Sequence, residues 1–473
     1  MRFLLTFLLW ATLSGIFAQG EYDIDIKVNN YDNDTLIVGY YFAEKQLVRD
    51  TLLAEQPGNF RLSGKDTLRN GVYLLLTRPD NEYIQFHVNE GNTAFSLEFD
   101  FEDKSKVTFK NSEDNETFQA YLQLIAEHRP EAVELRDTIK ALKESGGDTA
   151  EYESRMAEID DLILSEQQRI IAAHPDYLTA IILKASEEID VPDFEGDEKR
   201  ELKRYLYYKD HYFDNIGLAN PLMLYSGALA PKVDYYMEKL TPNHPDSIKK
   251  SIDYLLEEMK PASETRKYYL STFLNKYAKS KVIGFDAIYV HLVDKYYNRD
   301  ETPWVSEENL AKIKDNANKL RPVLLGKEGA DLTVYDKSGK EITISELDYE
   351  YLVLLFWAPD CGHCTKMMPG FVEFNEKWSA QGIKTLAVCT KLQDKTETCW
   401  EKLEEKEMMG FINGADQYFK SRFRLKYNVT TTPKVFILDK DRQILMKNIG
   451  SDQLESVMIE ILKRENREDL IPQ

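Results

Sequence analysis

The chain has 473 residues, with 60 lysines and arginines against 81 aspartates and glutamates, and a formal net charge of −21 at pH 7. This acidic excess argues against a nucleic acid or an anionic membrane surface as a partner, because both carry negative charge. The chain is too long for a single core, so about two or three domains are expected. All four cysteines lie after position 360, which excludes a small scaffold held together by disulfides.

The N-terminal segment, residues 1–18, has the pattern of a secretory signal peptide. Arg2 precedes an apolar run at residues 3–17, and Ala18 stands at the expected cleavage site. An uncleaved membrane anchor is the alternative. No later run of about eighteen apolar residues occurs, so no membrane span is expected after signal removal. The pattern predicts an exported protein of the periplasm or cell envelope.

Residues 19–112 alternate apolar and polar positions in short runs separated by turn residues. Regular short runs of this kind predict an antiparallel β-sandwich or a small barrel. His87 alternates with apolar neighbours and is interpreted as a strand residue rather than a ligand. The clearest runs lie at residues 22–28, 35–41, 72–77 and 83–88.

Residues 113–323 change to a helical pattern, with apolar residues and tyrosines recurring every three or four positions. The pattern predicts a folded α-helical domain. Adjacent tyrosines such as Tyr207 and Tyr208 suggest a carbohydrate platform, but packing between helices is the favoured interpretation.

Residues 324–473 are predicted to form an α/β domain with a mixed sheet. A hairpin comes first, a buried strand then leads into a helix after Cys361, and the last helix has Ser451 as its N-cap. Strands are predicted at residues 332–335, 341–344, 351–356, 384–388, 435–438 and 443–447, and further helical segments at 397–407 and 417–425.

Cys361 and Cys364 stand two residues apart at a predicted junction between a strand and a helix. A helix N-terminus stabilises a thiolate on the first cysteine. The second is then close enough to attack the mixed disulfide that the first forms. A zinc half-site is the alternative, and it needs two further ligands. The arrangement favours thiol–disulfide exchange, with no cofactor other than the redox-active disulfide Cys361–Cys364 and no metal.

The sequence around these cysteines resembles the thioredoxin fold, and the added hairpin resembles its TlpA-like, envelope-resident branch. Upstream, the β-rich and tyrosine-rich helical modules resemble multidomain exported members common in Bacteroidetes, without a function to transfer. The residues that carry the resemblance are Phe356, Trp357, Ala358, Pro359, Cys361, Cys364, Pro369, Thr432 and Pro433.

The resemblance implies a role for each matching position. Cys361 is implied as the nucleophile and Cys364 as the resolving thiol. Pro433 is implied as a cis proline facing the pair, with Thr432 offering backbone hydrogen bonds to an extended substrate.

Two supporting residues have simpler alternatives. Trp357 is implied to wall the site, but it is equally explained as a core residue. Pro369 is implied to kink the helix, but it could instead end a short first helix.

The chain departs from the family at two positions. Leu355 and Met367 stand where relatives often carry carboxylates that accept a proton, which leaves His363 as the candidate. Its imidazolium would favour the Cys361 thiolate and make the pair more oxidising. The Gly362-His363 spacer resembles that of protein disulfide isomerase, so a potential nearer roughly −180 mV than roughly −270 mV is predicted. A solvated, incidental histidine is the alternative.

Cys389 is predicted to end a central strand, and Cys399 lies in the following helix beside Trp400. Both are expected to be buried, unpaired thiols, because free cysteine behaves as a small apolar residue. A second disulfide is the alternative.

Together these features predict an exported thiol–disulfide oxidoreductase that exchanges disulfides with thiol- or disulfide-bearing envelope proteins and is recharged by a redox partner. The direction of exchange is left open. The alternatives are a client-binding or chaperone-like envelope protein with a secondary redox domain, and a thiol peroxidase.

Overall fold

The computed structural model describes residues 21–79 and 82–472, so the predicted signal peptide lies outside the described residues. The described chain forms two compact units. One contains the residues up to Pro242 together with Tyr254–Arg266, and the other contains Asn243–Asp253 and the residues from Lys267 onward. The finer division into domains at positions 112 and 323 stays a prediction. None of the described helices is both long enough and apolar enough to cross a bilayer.

The N-terminal strands form two four-stranded sheets, in the orders β4-β1-β7-β8 and β3-β2-β5-β6. Apolar side chains from both sheets share one core cluster, as Ile24 from one and Leu75 from the other illustrate, so the sheets pack face to face. The strands are β1 (Tyr22–Asn29), β2 (Thr35–Phe42), β3 (Lys45–Leu53), β4 (Asn59–Gly64), β5 (Gly71–Leu76), β6 (Tyr83–Val88), β7 (Ala94–Asp100) and β8 (Val107–Lys110).

The prediction of an antiparallel sandwich is correct for the sheet of β2, β3, β5 and β6, but it is wrong for one pair in the other sheet. Strands β1 and β7 are parallel, with Ile24 paired to Phe95. The chain passes through the second sheet between these two strands, so no tight turn fixes their relative direction.

Nine helices follow in the described residues after β8 and before the C-terminal sheet, as the helical pattern predicted. The first begins with Glu113, Asp114 and Glu116 in its first turn, where negative charge is favourable, and it ends at Gly146 in the left-handed conformation. The helices are α1 (Glu113–Ser145), α2 (Ala150–Ala173), α3 (Leu178–Ser186), α4 (Arg200–His211), α5 (Leu229–Glu238), α6 (Pro245–Glu258), α7 (Ser263–Ala278), α8 (Asp286–Tyr296) and α9 (Glu307–Leu320).

A buried polar network joins β6 to α1 and α3. His87 lies on β6, as predicted, and its Nδ1 is 3.1 Å from Thr179 Oγ1. The carboxylate of Asp114 accepts hydrogen bonds from Thr179 Oγ1 at 2.5 Å and from the backbone amide of Leu178 at 2.9 Å. Burial alone would raise the pKa of Asp114, but hydrogen bonds with His87 and Thr179 outweigh it and hold that pKa below its usual range.

Asp114→Ala is expected to lower the unfolding free energy of this unit by about 3 kcal/mol, because it leaves buried donors without an acceptor. Because the pKa of Asp114 is lowered by folding, its contribution to stability is fully present at pH values above the pKa of an unfolded aspartate. That contribution is lost as the pH falls through the lower pKa of the folded state. Amide hydrogen exchange in β6 and α3 measures the effect. Asp137→Ala, an exposed site on the same helix, is the control, and equal protection in both variants would contradict the prediction.

The C-terminal sheet has seven strands in the order β10-β9-β13-β12-β11-β14-β15. The central strand β11 is parallel to β12 and antiparallel to β14. Its strands are β9 (Thr333–Tyr335), β10 (Glu341–Thr343), β11 (Tyr351–Trp357), β12 (Ile383–Cys389), β13 (Ile412–Ala415), β14 (Lys434–Asp439) and β15 (Ile444–Lys447), and its helices are α10 (Gly362–Trp378), α11 (Glu397–Glu405), α12 (Phe423–Lys426) and α13 (Ser451–Arg464).

Strand β11 is buried along its whole length because both faces of the sheet are covered. Alternate residues enter two different cores. Leu355 packs in the cluster that contains residues of α10 and α13, whereas Phe356 packs in the cluster that contains Phe423 of α12. The predicted fold class is therefore confirmed: an N-terminal β-rich part, a helical middle and a C-terminal α/β domain.

Three details of this domain differ from the sequence prediction. Strand β13 was not predicted, since its Asn413-Gly414 centre lacks a strand signal. The predicted helix at 417–425 is mostly turns, because the Asp416 carboxylate accepts the amides of Lys420 and Ser421 and holds the chain in a turn. Ser451 is the first helical residue rather than the N-cap, which is Gly450.

Candidate active site

Strand β11 leads into helix α10 through a short turn that contains the half-buried Pro359. Cys361 is the N-cap of α10, and its sulfur accepts a hydrogen bond from the backbone amide of Cys364 at 3.2 Å. The sulfur therefore occupies the position that serine or aspartate oxygens take at other helix N-termini. Unpaired amides and the helix dipole favour negative charge there, which stabilises a thiolate.

Cys361 is partly exposed and lies beside the Thr432–Pro433 peptide bond, which is cis. Its thiol donates a hydrogen bond to the carbonyl oxygen of Thr432 at 3.3 Å. Burial pushes the pKa of Cys361 upward, but hydrogen bonds with Cys364, with Thr432 and with the amide of His363 outweigh burial, and the pKa is lowered. The accessible sulfur is thus the more acidic one.

Cys364 has the opposite environment. Its side chain is 1% exposed within the core that contains Leu355, and burial followed by the hydrogen bond with Cys361 raises its pKa to about 12. Cys364 therefore stays protonated at neutral pH, whereas the lowered pKa of Cys361 favours its thiolate. The two sulfurs differ in the way that an attacking thiol and a resolving thiol must differ.

Alkylation of the reduced protein is expected to label Cys361 with a pH midpoint below that of the same cysteine in the unfolded chain, because its pKa is lowered in the folded state. Labelling of Cys364 is expected to remain slow at neutral pH, since its pKa is about 12 and its side chain is buried. Mass spectrometry of each cysteine against pH, with the denatured protein as the control, measures both. Equal midpoints for Cys361 in the two states would contradict the prediction.

The remaining predicted site residues divide into exposed and buried positions. Gly362 begins helix α10 and His363 follows it, and both are exposed. Trp357 is 1% exposed and lies in the core cluster with Cys364, which agrees with the alternative of a core residue. Pro369 lies inside α10, which continues to Trp378, so this proline does not end the helix.

Leu355 and Met367, which stand where relatives often carry carboxylates, are apolar and lie in apolar surroundings. Leu355 is fully buried and Met367 packs against the same cluster as Cys364. The proposed effect of the His363 imidazolium on the Cys361 thiolate stays a prediction.

A pair of residues that the sequence analysis did not single out lies next to the nucleophile. Lys391 Nζ is 2.6 Å from an Asp360 carboxylate oxygen, and its hydrogen bond holds the pKa of Asp360 below its usual range. The preceding residue, Thr390, donates from its backbone amide to the carbonyl of Trp357 at 2.9 Å. The sequence could have indicated that Asp360 and Lys391 lie near each other, because residues that follow neighbouring parallel strands meet at the same edge of the sheet.

The expectation of unpaired thiols at Cys389 and Cys399 is wrong. The two sulfurs are bonded at 2.04 Å, with Cα atoms 6.3 Å apart, while Cys361 and Cys364 are free. The end of β12 and helix α11 lie within the distance that a disulfide spans, which their ten-residue separation could not establish. Being bonded to each other, Cys389 and Cys399 offer no thiolates to complete a zinc site. Within residues 21–79 and 82–472, no group of three histidine, cysteine or acidic side chains is placed to hold a metal.

Residues 325–446 match the model of the AhpC/TSA family. They form a thioredoxin-like domain of that family. Upstream of this thioredoxin-like domain, residues 172–322 match a domain of unknown function, DUF5106.

Curated relatives of the thioredoxin-like domain carry the name thiol-disulfide oxidoreductase ResA. One such protein, from Bacillus cereus, is 29% identical over 140 residues, which cover 29% of this chain and 78% of the relative. The protein from Bacillus anthracis is 27% identical over 140 residues, with coverages of 29% and 78%. These matches confirm the predicted enzyme class, a thioredoxin-like oxidoreductase.

Similar solved structures include a thioredoxin-like protein from Bacteroides caccae, with a TM-score of 0.43 and 17% identity, covering 58% of this chain and 98% of that one. A domain of a possible thiol-disulfide isomerase from Cytophaga hutchinsonii has a TM-score of 0.29 and 28% identity, covering 31% and 97% of the two chains.

Proposed function

We propose that this chain is an exported thiol–disulfide oxidoreductase that exchanges disulfides with envelope proteins through Cys361 and Cys364. The observation that carries the proposal is the opposite environment of the two sulfurs. Cys361 is partly exposed with a lowered pKa, and Cys364 is buried with a raised pKa. The export part of the proposal rests on the signal-peptide pattern of residues 1–18.

The exchange has two displacement steps. The Cys361 thiolate attacks one sulfur of the substrate disulfide, a mixed disulfide forms, and the other substrate sulfur leaves as a thiolate. Cys364 then loses its proton and attacks Cys361, which releases the second substrate sulfur and leaves a Cys361–Cys364 disulfide. The substrate gains two electrons and the enzyme loses two, so a dithiol redox partner must return them. The reverse sequence donates a disulfide to a dithiol substrate.

The segment at Thr432 and Pro433 is proposed to position the substrate. The Thr432 carbonyl lies 3.3 Å from the Cys361 sulfur, so main-chain groups of this segment are within reach of a strand that presents its disulfide to Cys361. Backbone hydrogen bonds to an extended strand would align the two sulfurs of the substrate disulfide with the Cys361 sulfur, without requiring a particular substrate side chain.

Insulin reduction by the wild type and by a variant that lacks the Cys361 thiol tests the proposal, and activity without this thiol would overturn it. Capture of mixed disulfides by Cys364→Ser in the native host identifies the substrates and their compartment. Peroxide consumption tests the thiol peroxidase alternative. Titration against glutathione distinguishes the proposed potential near roughly −180 mV from one near roughly −270 mV.

A further inference from the structure

A cleft opens at the edge of the sheet where β11, β12 and β13 end. The loop after β12 and the loop after β13 form its walls, and its volume is about 500 Å³. Because the three strands are parallel, their carboxyl ends and the loops that follow them meet at this edge, where the reactive pair also lies. The residues used below are Lys391, Lys395, Tyr418 and Arg424, all of which line it.

The cleft is tied to the active site by direct contacts. Lys391 bonds to Asp360, the residue immediately before the nucleophile, at 2.6 Å. Arg424 donates from Nη2 to the carbonyl of Thr390 at 3.1 Å, and Gln393 donates from its amide to the carbonyl of Gln417 at 2.8 Å. The two loops are therefore held to each other, and the end of the cleft at Lys391 contacts the residue that precedes Cys361.

The charge of the cleft is opposite to that of the chain. Its lining contains three cations, Lys391, Lys395 and Arg424, and one carboxylate, Asp394. Lys391 is already paired with Asp360, so the excess positive charge comes from Lys395 and Arg424. Lys395 and Arg424 are exposed, and neither has a carboxylate within salt-bridge distance in the described part of the chain. In a protein with a net charge of −21, a local cationic cleft attracts anionic groups that the rest of the surface repels.

An aromatic ring completes the wall. The side chain of Tyr418 is 69% exposed, and its ring lies 5.9 Å from the ammonium group of Lys420. An exposed ring beside cations can cover the apolar part of a bound chain while the cations meet its carboxylates.

We propose that this cleft docks the polypeptide segment adjoining the disulfide of the substrate and selects segments rich in aspartate or glutamate. The inference rests on the proposed function, because it describes which substrate the Cys361 thiolate meets. An extended segment advances about 3.3 Å per residue. Because Lys391 lines the cleft and contacts the residue before Cys361, a substrate segment that leaves the disulfide along this edge of the sheet enters the cleft. Long-range attraction raises the encounter rate as well as the affinity.

Two disulfide peptides test the inference, identical except for three residues beside one cysteine, which are aspartates in one and asparagines in the other. The wild type is expected to reduce the acidic peptide with about tenfold higher kcat/KM at low ionic strength, mainly through KM, with the preference shrinking as salt is added. Lys395→Glu combined with Arg424→Glu is expected to abolish or invert this preference for the acidic peptide. Tryptophan fluorescence checks that the variant is folded, and Lys395→Gln alone provides a milder second variant.

Lys440→Glu is the control for charge, because it makes the same charge reversal on the same domain as each of the two cleft substitutions. Lys440 is exposed in the turn after β14, beyond Asp439, which pairs with Tyr351 at the opposite end of β11 from Cys361. The ratio of kcat/KM for the acidic peptide to kcat/KM for the neutral peptide is expected to be the same in Lys440→Glu as in the wild type.

The outcomes separate the two proposals. Reduction of both peptides at equal rates by the wild type overturns the docking inference and leaves the proposed function intact. A preference that survives in both cleft variants also overturns it. Failure of the wild type to reduce either peptide or insulin overturns the proposed function itself.

Discussion

Cys361→Ser is expected to lower kcat/KM for disulfide reduction by on the order of 10³-fold or more, because a hydroxyl cannot replace the thiolate that starts the exchange. Cys361 is the partly exposed member of the free pair and the one with the lowered pKa, so no described thiol can substitute for it. Insulin turbidity or a fluorescent disulfide peptide measures the rate, with the reduced wild type as the reference.

Cys364→Ser provides the matched control for this variant. It retains the attacking thiolate but lacks the sulfur that resolves the intermediate, so it is expected to accumulate a mixed disulfide with the substrate. Non-reducing gels and mass spectrometry detect that species. Rapid turnover by Cys361→Ser, or a mixed disulfide found on Cys364 in the wild type, would contradict the assignment of the two roles.

The second large effect is expected from the double variant Cys389→Ser and Cys399→Ser. Closing a loop across a separation of ten residues stabilises the folded domain by about 2–3 kcal/mol through the entropy of the unfolded chain. Removing the bond is therefore expected to shift the denaturation midpoint of the thioredoxin-like domain to lower denaturant. The same change frees the loop that carries Thr390 and Lys391, so the rate of Cys361 alkylation is expected to change as well.

Tryptophan fluorescence is suited to this measurement because the four described tryptophans, Trp304, Trp357, Trp378 and Trp400, all belong to the unit that contains this domain. Urea titrations of the double variant and of a variant with both Cys361 and Cys364 replaced by serine are compared with the wild type. An unchanged midpoint in the Cys389 and Cys399 variant would show that the bond contributes no stability.

The features that could be predicted from the sequence are those in which local pattern and burial agree. The apolar run of β11 followed by two cysteines and an amphipathic segment specifies a buried strand, a turn and a helix. The helix N-terminus then accounts for part of the lowered pKa of Cys361, whereas the hydrogen bond with Thr432, which also lowers it, is a tertiary contact. The alternation of β11 residues between two cores follows from the same pattern.

The features that escaped prediction depend on tertiary proximity. The bond between Cys389 and Cys399 requires their Cα atoms to approach within a few ångströms, and a strand followed by a helix allows many such distances. Strand β13 is held by pairing with β12 rather than by its own residues, since Gly414 disfavours a strand. The contact of Lys391 with Asp360 is an intermediate case, because neighbouring parallel strands bring the two loops to one sheet edge but do not determine which of their side chains meet.

The buried bond between Cys389 and Cys399 has a consequence for how the protein matures. Four cysteines can be joined in three ways, and only the arrangement that leaves Cys361 and Cys364 as partners supports turnover. A newly made chain that joins Cys361 or Cys364 to Cys389 could form two disulfides but would have no activity. Because Cys389 and Cys399 are 1% and 0% exposed once folded, mispairing must be avoided or corrected before the core closes. The yield of active enzyme therefore depends on which cysteines pair during folding, while an oxidant can still reach Cys389 and Cys399.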